Sequence, residues 1–120
     1  MATFDVLRHA DDCVHFPAGS MVLDEGRPGK LMYVVKEGTV DVLVHGRLVA
    51  TVGPGEVVGE LALIDDQARS AAVVARTDCQ LVPVDEKRFL FLVQQTPYFA
   101  LQVMRVLAER LRKMNEVVGG

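Results

Sequence analysis

The sequence predicts a mainly β domain with flanking α: an eight-stranded double-sheet jelly-roll (β-roll) with a short N-terminal helix and two C-terminal helices. Three observations predict it. Between residues 14 and 84, short runs rich in Val, Leu and Thr are broken at intervals by glycine or proline. After Asp85 glycine disappears until the last two residues, and apolar positions recur at three- and four-residue spacing. Half of the 120 residues are apolar, enough for one continuous core, so residues 1–120 read as a single domain with its β-roll at about 13–85.

In chain order, residues 3–9 read as a brief helix. The strand runs follow at 14–16, 21–23, 32–36, 39–44, 48–52, 69–75 and 80–84. Between them stand Pro17-Ala18-Gly19, Glu25-Gly26-Arg27-Pro28-Gly29, Glu37-Gly38, His45-Gly46 and Gly53-Pro54-Gly55, the glycines supplying positive φ and the prolines a preset φ for tight turns. Alternation is clearest at 39–44, where Val40, Val42 and Val44 share one face and Thr39, Asp41 and Leu43 the other, and one of the two faces packs inward. A helical turn is expected at 60–64. A helix at about 85–94 has Asp85 as its N-cap and ends before Thr96-Pro97. A longer helix at about 97–117 tolerates Pro97 in its first turn. Its stripe of Leu101, Met104, Leu107 or Ala108, Leu111 and Met114 either packs on the β-roll or forms a dimer seam. Lys87-Arg88 and the charges from Arg105 to Lys113 read as a solvated face.

Thirteen basic residues against 16 acidic ones, a net charge of −3, provide no field that attracts a polyanion. No apolar stretch reaches the roughly 18 residues of a membrane span, and residues 1–12 have no apolar run of the signal-peptide kind. Cys13 and Cys79 are far apart and not in metal spacing, which reads as two thiols packed in a core, with a disulfide as the alternative, and suits a reducing cytoplasm. His9, His15 and His45 are too dispersed for a metal triad. No nucleophile with a matched base is evident, so no enzyme is expected, although metal-dependent cupin enzymes share jelly-roll architecture.

Chemistry concentrates in residues 53–71, GPGEVVGELALIDDQARSA. A helix start exposes unpaired N–H groups at the positive end of its dipole, and Gly59 lets a ligand approach the main chain. Arg69 brings a fixed charge and a planar fork suited to two phosphate oxygens, and Ser70 adds a hydroxyl donor. Glu60, a pure acceptor, suits a sugar hydroxyl. Phosphate plus hydroxyl implies a nucleotide.

Gly59-Glu60-Leu61-Ala62-Leu63, followed after five residues by Arg69-Ser70-Ala71, resembles the phosphate-binding cassette of the cyclic-nucleotide-binding family, which includes the catabolite activator protein and protein kinase A regulatory subunits. Phe16-Pro17-Ala18-Gly19, Glu25-Gly26-Arg27-Pro28-Gly29, residues 32–38 and Gly53-Pro54-Gly55-Glu56 match further family motifs, so the resemblance covers roughly 14–115. It implies that Arg69 holds a cyclic phosphate, that Glu60 accepts from the ribose 2′-OH, and that backbone groups of Leu61, Ala62 and Ser70 with the Ser70 side chain complete the cradle. Val49, Val58, Leu61 and Ala71 would offer apolar contact to ribose or base.

Three departures stand out. Val58 replaces a frequent aromatic residue, and Ala68 replaces a frequent proline. The family's usual base lid, from the C-terminal helix or a neighbouring subunit, has only Arg112, Met114 and Asn115 as candidates before Gly120. The expected ligand is cyclic AMP, or cyclic GMP; no other cofactor is implied. The expected action is a sensor whose cassette moves the C-terminal helices, with a protein partner or a homodimer through the last helix. No membrane contact is expected, nor direct DNA contact, because no helix-turn-helix follows Val117. The alternative is an interaction domain that keeps the fold without the ligand.

Overall fold

The computed structural model describes the backbone of residues 12–64 and 69–119, and the side chains of these except 62, 64 and 114–119. The expected helix at 3–9 lies outside the described residues. Among those described, eight strands form two antiparallel sheets. β1 (Val14–Phe16), β8 (Cys79–Val84), β3 (Met32–Glu37) and β6 (Val57–Val58) make the first sheet, in that order. β2 (Met21–Leu23), β7 (Ala72–Ala75), β4 (Val40–Val44) and β5 (Arg47–Val52) make the second. The described residues also form three helices: α1 (Leu61–Ile64), α2 (Glu86–Gln95) and α3 (Tyr98–Gly119).

The first sheet is covered on both faces, and its strands show it. Leu81 and Cys79 of β8, Val35 of β3 and Val58 of β6 join Leu23, Val40, Val52, Val73 and Ala75 in a core between the sheets. The alternate residues Val82 and Val84, Met32 and Val34, and Val57 face the other way, onto Leu92 of α2 and Phe99 and Val103 of α3. A strand buried on both faces reads as a continuous apolar run, whereas β4, with one covered face, alternates. Val40 and Val42 of β4 point into the intersheet core, so the valine face is the inward one.

Differences from the expected boundaries are local. The eighth strand is the dipeptide Val57–Val58, paired with Tyr33 and Val34; a two-residue strand carries no periodicity of its own. The run expected at 69–75 pairs only from Ala72, because Arg69 is held by the turn at 24–29 instead: its N–H donates to Arg27 O at 3.0 Å, and its carbonyl accepts from Gly26 N at 2.9 Å. Asp85 caps α2, accepting from Arg88 N at 2.8 Å, and the Thr96 N–H closes the helix on Leu92 O.

α3 is rotated relative to the expected packing. Phe99 and Val103 are buried and Val106 and Leu107 pack beside them, while Leu101, Met104 and Leu111 of the predicted stripe are exposed. The packed face follows the aromatic ring: Phe99 meets Phe89 of α2 edge-on at 5.5 Å and is fully buried. The charged face is not uniformly solvated either. Arg88 pairs with Asp12 and donates to Pro83 O at 3.0 Å, and Arg110 turns inward. Glu109 and Lys113 do form the exposed i, i+4 pair, at 3.6 Å. Cys79 is buried and Cys13 half-buried.

Candidate functional site

The site is built where β6 ends and α1 begins. After Val58 the chain must turn out of the first sheet, and Gly59 does so at φ +76°, in the left-handed region open to glycine. A Cβ there would lie 2.9 Å from Arg69 Nη1, 2.9 Å from Leu23 Cδ1 and 3.1 Å from Leu31 O. The glycine therefore serves the turn and the approach of Arg69 together.

Arg69 is half-buried, its guanidinium lying over Gly29 and Gly59. A Cβ on Gly29 would overlap the guanidinium nitrogens, so the turn at 24–29 forms one wall of the arginine's seat. Nη1 makes a long contact of 3.5 Å to Gly59 O. Burial pushes the Arg69 pKa below its ordinary value, with Tyr33 opposing. Among the described residues no carboxylate pairs with this cation, although desolvation disfavours its charge. A desolvated guanidinium with donors to spare is suited to an anion.

Glu60 follows at once and is 3% exposed. Its Oε1 is paired with Arg110 Nη1 from α3, and Arg110 Nη2 donates to Val57 O. An isolated carboxylate buried to this degree would cost several kcal/mol, on the order of what a hydrogen-bonded cation can offset.

The remaining predicted residues divide by position. Ser70 is exposed and Ala71 half-buried just after Arg69. Leu61 is exposed at the start of α1, the helix that contains Ala62. Val58 has its side chain in the intersheet core, and Val49 is exposed on the edge strand β5. Of the lid candidates, Arg112 is exposed on α3, and the side chains of Met114 and Asn115 lie outside the described residues. Arg110, Gly29 and Tyr33 were not anticipated as site residues. Arg110 had a signal: it continues the 99, 103, 106 spacing of the packed face, where a charge needs a buried partner.

The family profile described as "Cyclic nucleotide-binding domain" matches residues 13–96. The chain is similar to the cyclic AMP receptor protein of Thermus thermophilus, 34% identical over 105 residues, covering 83% of this chain and 49% of the relative. It is also similar to a cGMP-dependent protein kinase of Drosophila melanogaster, 30% identical over 93 residues, which cover 75% of this chain and 8% of that protein. Among solved structures, the catabolite activator protein of Thermus thermophilus superposes with a TM-score of 0.82 at 30% identity, over 98% of this chain and 57% of that one. The chain spans about half the length of the first curated relatives it matches.

Proposed function

The chain belongs to the cyclic nucleotide-binding domain family, and from that premise we propose that it is a non-enzymatic sensor of a cyclic mononucleotide, cyclic AMP before cyclic GMP. Arg69 and Ser70 take the cyclic phosphate with backbone N–H groups of Leu61 and Ala62, and Glu60 accepts from the ribose 2′-OH. Val49, Val58, Leu61 and Ala71 border ribose and base. Capture of the phosphate shifts the balance between two placements of α2 and α3, because a ligand moves an equilibrium only by binding one state better.

The observation that carries this reading is the half-buried Arg69 guanidinium, seated on Gly29 and Gly59 without a carboxylate among the described residues. The preference for cyclic AMP rests on the similarity to a cyclic AMP receptor. Calorimetric titration with cyclic AMP and cyclic GMP tests it. Saturable binding weakened by about 2 kcal/mol or more in Arg69→Ala, the size of a lost charge-assisted contact, supports the reading. No binding of either nucleotide at millimolar concentration overturns it in favour of a fold kept for protein contacts.

The output would pass through α3. Leu101, Met104 and Leu111 are exposed along it, the last two at 59% and 60%, a surface that fits a second copy or a protein partner. No described helix is long and apolar enough to cross a membrane, and cytoplasmic action is part of the same proposal.

A further inference from the structure

The turn at 24–29 places Arg69 twice over: Gly26 N and Arg27 O bracket the arginine's main chain, and Gly29 lies against its guanidinium. Asp24, Gly26, Arg27 and Pro28 are exposed, and the Asp24–Arg27 pair, at 3.6 Å, stays within the turn. The Glu25 side chain reaches out of it. Its Oε1 accepts from the N–H of His45 at 3.0 Å, and its Oε2 lies 3.3 Å from His45 Nδ1. His45 stands at the tip of the β4–β5 hairpin at φ +52°, followed by Gly46 at +79°, the paired positive values of a tight two-residue turn. Asparagine, aspartate or glycine is the usual residue at the first of these positions. His45 is instead the one described non-glycine residue at positive φ, and its ring turns back to the carboxylate that already holds its N–H. Glu25 thus fastens the hairpin tip to the wall of the Arg69 seat by one bond that is independent of the imidazole and one contact that depends on it.

Resting on the proposed function, we infer that Glu25 is a positioning residue for phosphate capture, and that the charge of His45 sets how firmly Glu25 holds the turn. An imidazolium donates to the carboxylate and attracts it, whereas a neutral ring keeps at most one weaker hydrogen bond. Phosphate capture needs the turn in place, so affinity falls as pH rises through the range in which histidines lose their charge, about pH 5 to 8. The effect is modest, because the side chain of His45 is 87% exposed and that of Glu25 25%, and exposed ion pairs are screened. The charged neighbours in sequence are Asp24 and Arg27 in the turn, Lys30 after it and Arg47 beside Gly46. Carboxylates, lysine and arginine are types that titrate outside that range, which leaves the imidazole as the group to follow.

The test is calorimetric titration of the full chain with cyclic AMP and with cyclic GMP at about pH 5.5 and about pH 8, for the wild type, His45→Asn and Glu25→Gln. Asparagine accepts positive φ, so it keeps the turn without the imidazole. Glutamine keeps an acceptor for the His45 N–H without the charge. The wild type is expected to bind about threefold more tightly at the lower pH. In each variant the two affinities come within about 1.5-fold of each other, near the wild-type value at the higher pH. A wild type that binds equally at both pH values, or more tightly at the higher, overturns the inference while the sensor reading stands. A wild type that binds neither nucleotide at either pH overturns both. An undiminished ratio in His45→Asn assigns the titration to another group, and an undiminished ratio in Glu25→Gln, with or without uniform weakening, makes Glu25 a structural residue only; either result overturns the inference. Should Glu25→Gln fail to fold, His45→Asn decides alone.

Discussion

Arg69 and Glu60 are near neighbours in the site and opposite in circumstance. Among the described residues the half-buried cation makes a 3.5 Å contact to a carbonyl, whereas the buried anion is paired through Oε1 with Arg110. In the proposed function this cation is the group that takes the ligand's charge. Gly29 is the residue that lets Arg69 lie where it does, and its backbone has no positive φ to explain a glycine. Gly29→Ala is expected to displace the flexible guanidinium at a stability cost of about 1 kcal/mol or less, yet to weaken nucleotide binding about tenfold through the phosphate contact. Paired urea melts and calorimetry separate the two effects. Asp12 offers a pH prediction of the same scale. Its hydrogen bond from the Arg88 guanidinium holds the carboxyl below its ordinary value. A depressed folded value contributes stability above the unfolded pKa of about 3.9, lost as pH falls through the folded value. The pair is exposed, so the contribution is small. An NMR titration should show the Asp12 midpoint moving upward in Arg88→Gln, and an unmoved midpoint would contradict the assignment.

At the scale of elements, the caps and faces decide how the helices reach the site. Asp85 turns the end of β8 into the start of α2 by accepting the Arg88 N–H, and Thr96 and Pro97 separate α2 from α3. Asp85→Ala is expected to cost about 1 kcal/mol, the usual worth of an N-cap, read as a lower urea midpoint at constant slope. The sequence offered one stripe on α3, Leu101 to Met114, but the face that carries the Phe99 ring packs inward. That choice aims Arg110 at Glu60 and leaves Met104 and Leu111 outside. The short β6 is equally consequential: two residues pair with β3, deliver Gly59 to its turn, and place Val57 O under Arg110.

Across the whole molecule, two cores share the first sheet, one against the second sheet and one against α2 and α3. Movement of the helices therefore need not disturb the sandwich beneath the cassette, which suits a sensor with a rigid frame and a mobile cover. Phe99 holds that cover: it is fully buried at the junction of β-roll and helices. Phe99→Ala is expected to destabilise the fold by about 3–5 kcal/mol, with helix signal lost before strand signal in a thermal melt followed by circular dichroism. Coincident loss would show the two cores to be one cooperative unit. The exposed face of α3 carries the assembly prediction. Met104→Glu with Leu111→Glu should lower the sedimentation mass of the protein toward that of one chain without lowering its melting temperature. A mass unaffected by the pair would remove this face from assembly.

The sequence by itself determined the kind of structure and the segment on which the proposed function rests. Turn residues and strand runs are local signals, so the order of strands, the cap at Asp85 and the cassette around Gly59, Glu60 and Arg69 were all legible from neighbours in the chain. Tertiary structure decided what depends on residues distant in sequence meeting in space. The β-dipeptide Val57–Val58 acquires its identity only from β3, and Arg69 finds its seat only on a turn 40 residues away. The working face of α3 followed from which stripe filled the space over the first sheet. Helical periodicity shows that a face is apolar, but packing against a shaped surface selects which face is buried, and here that selection brought Arg110 to Glu60.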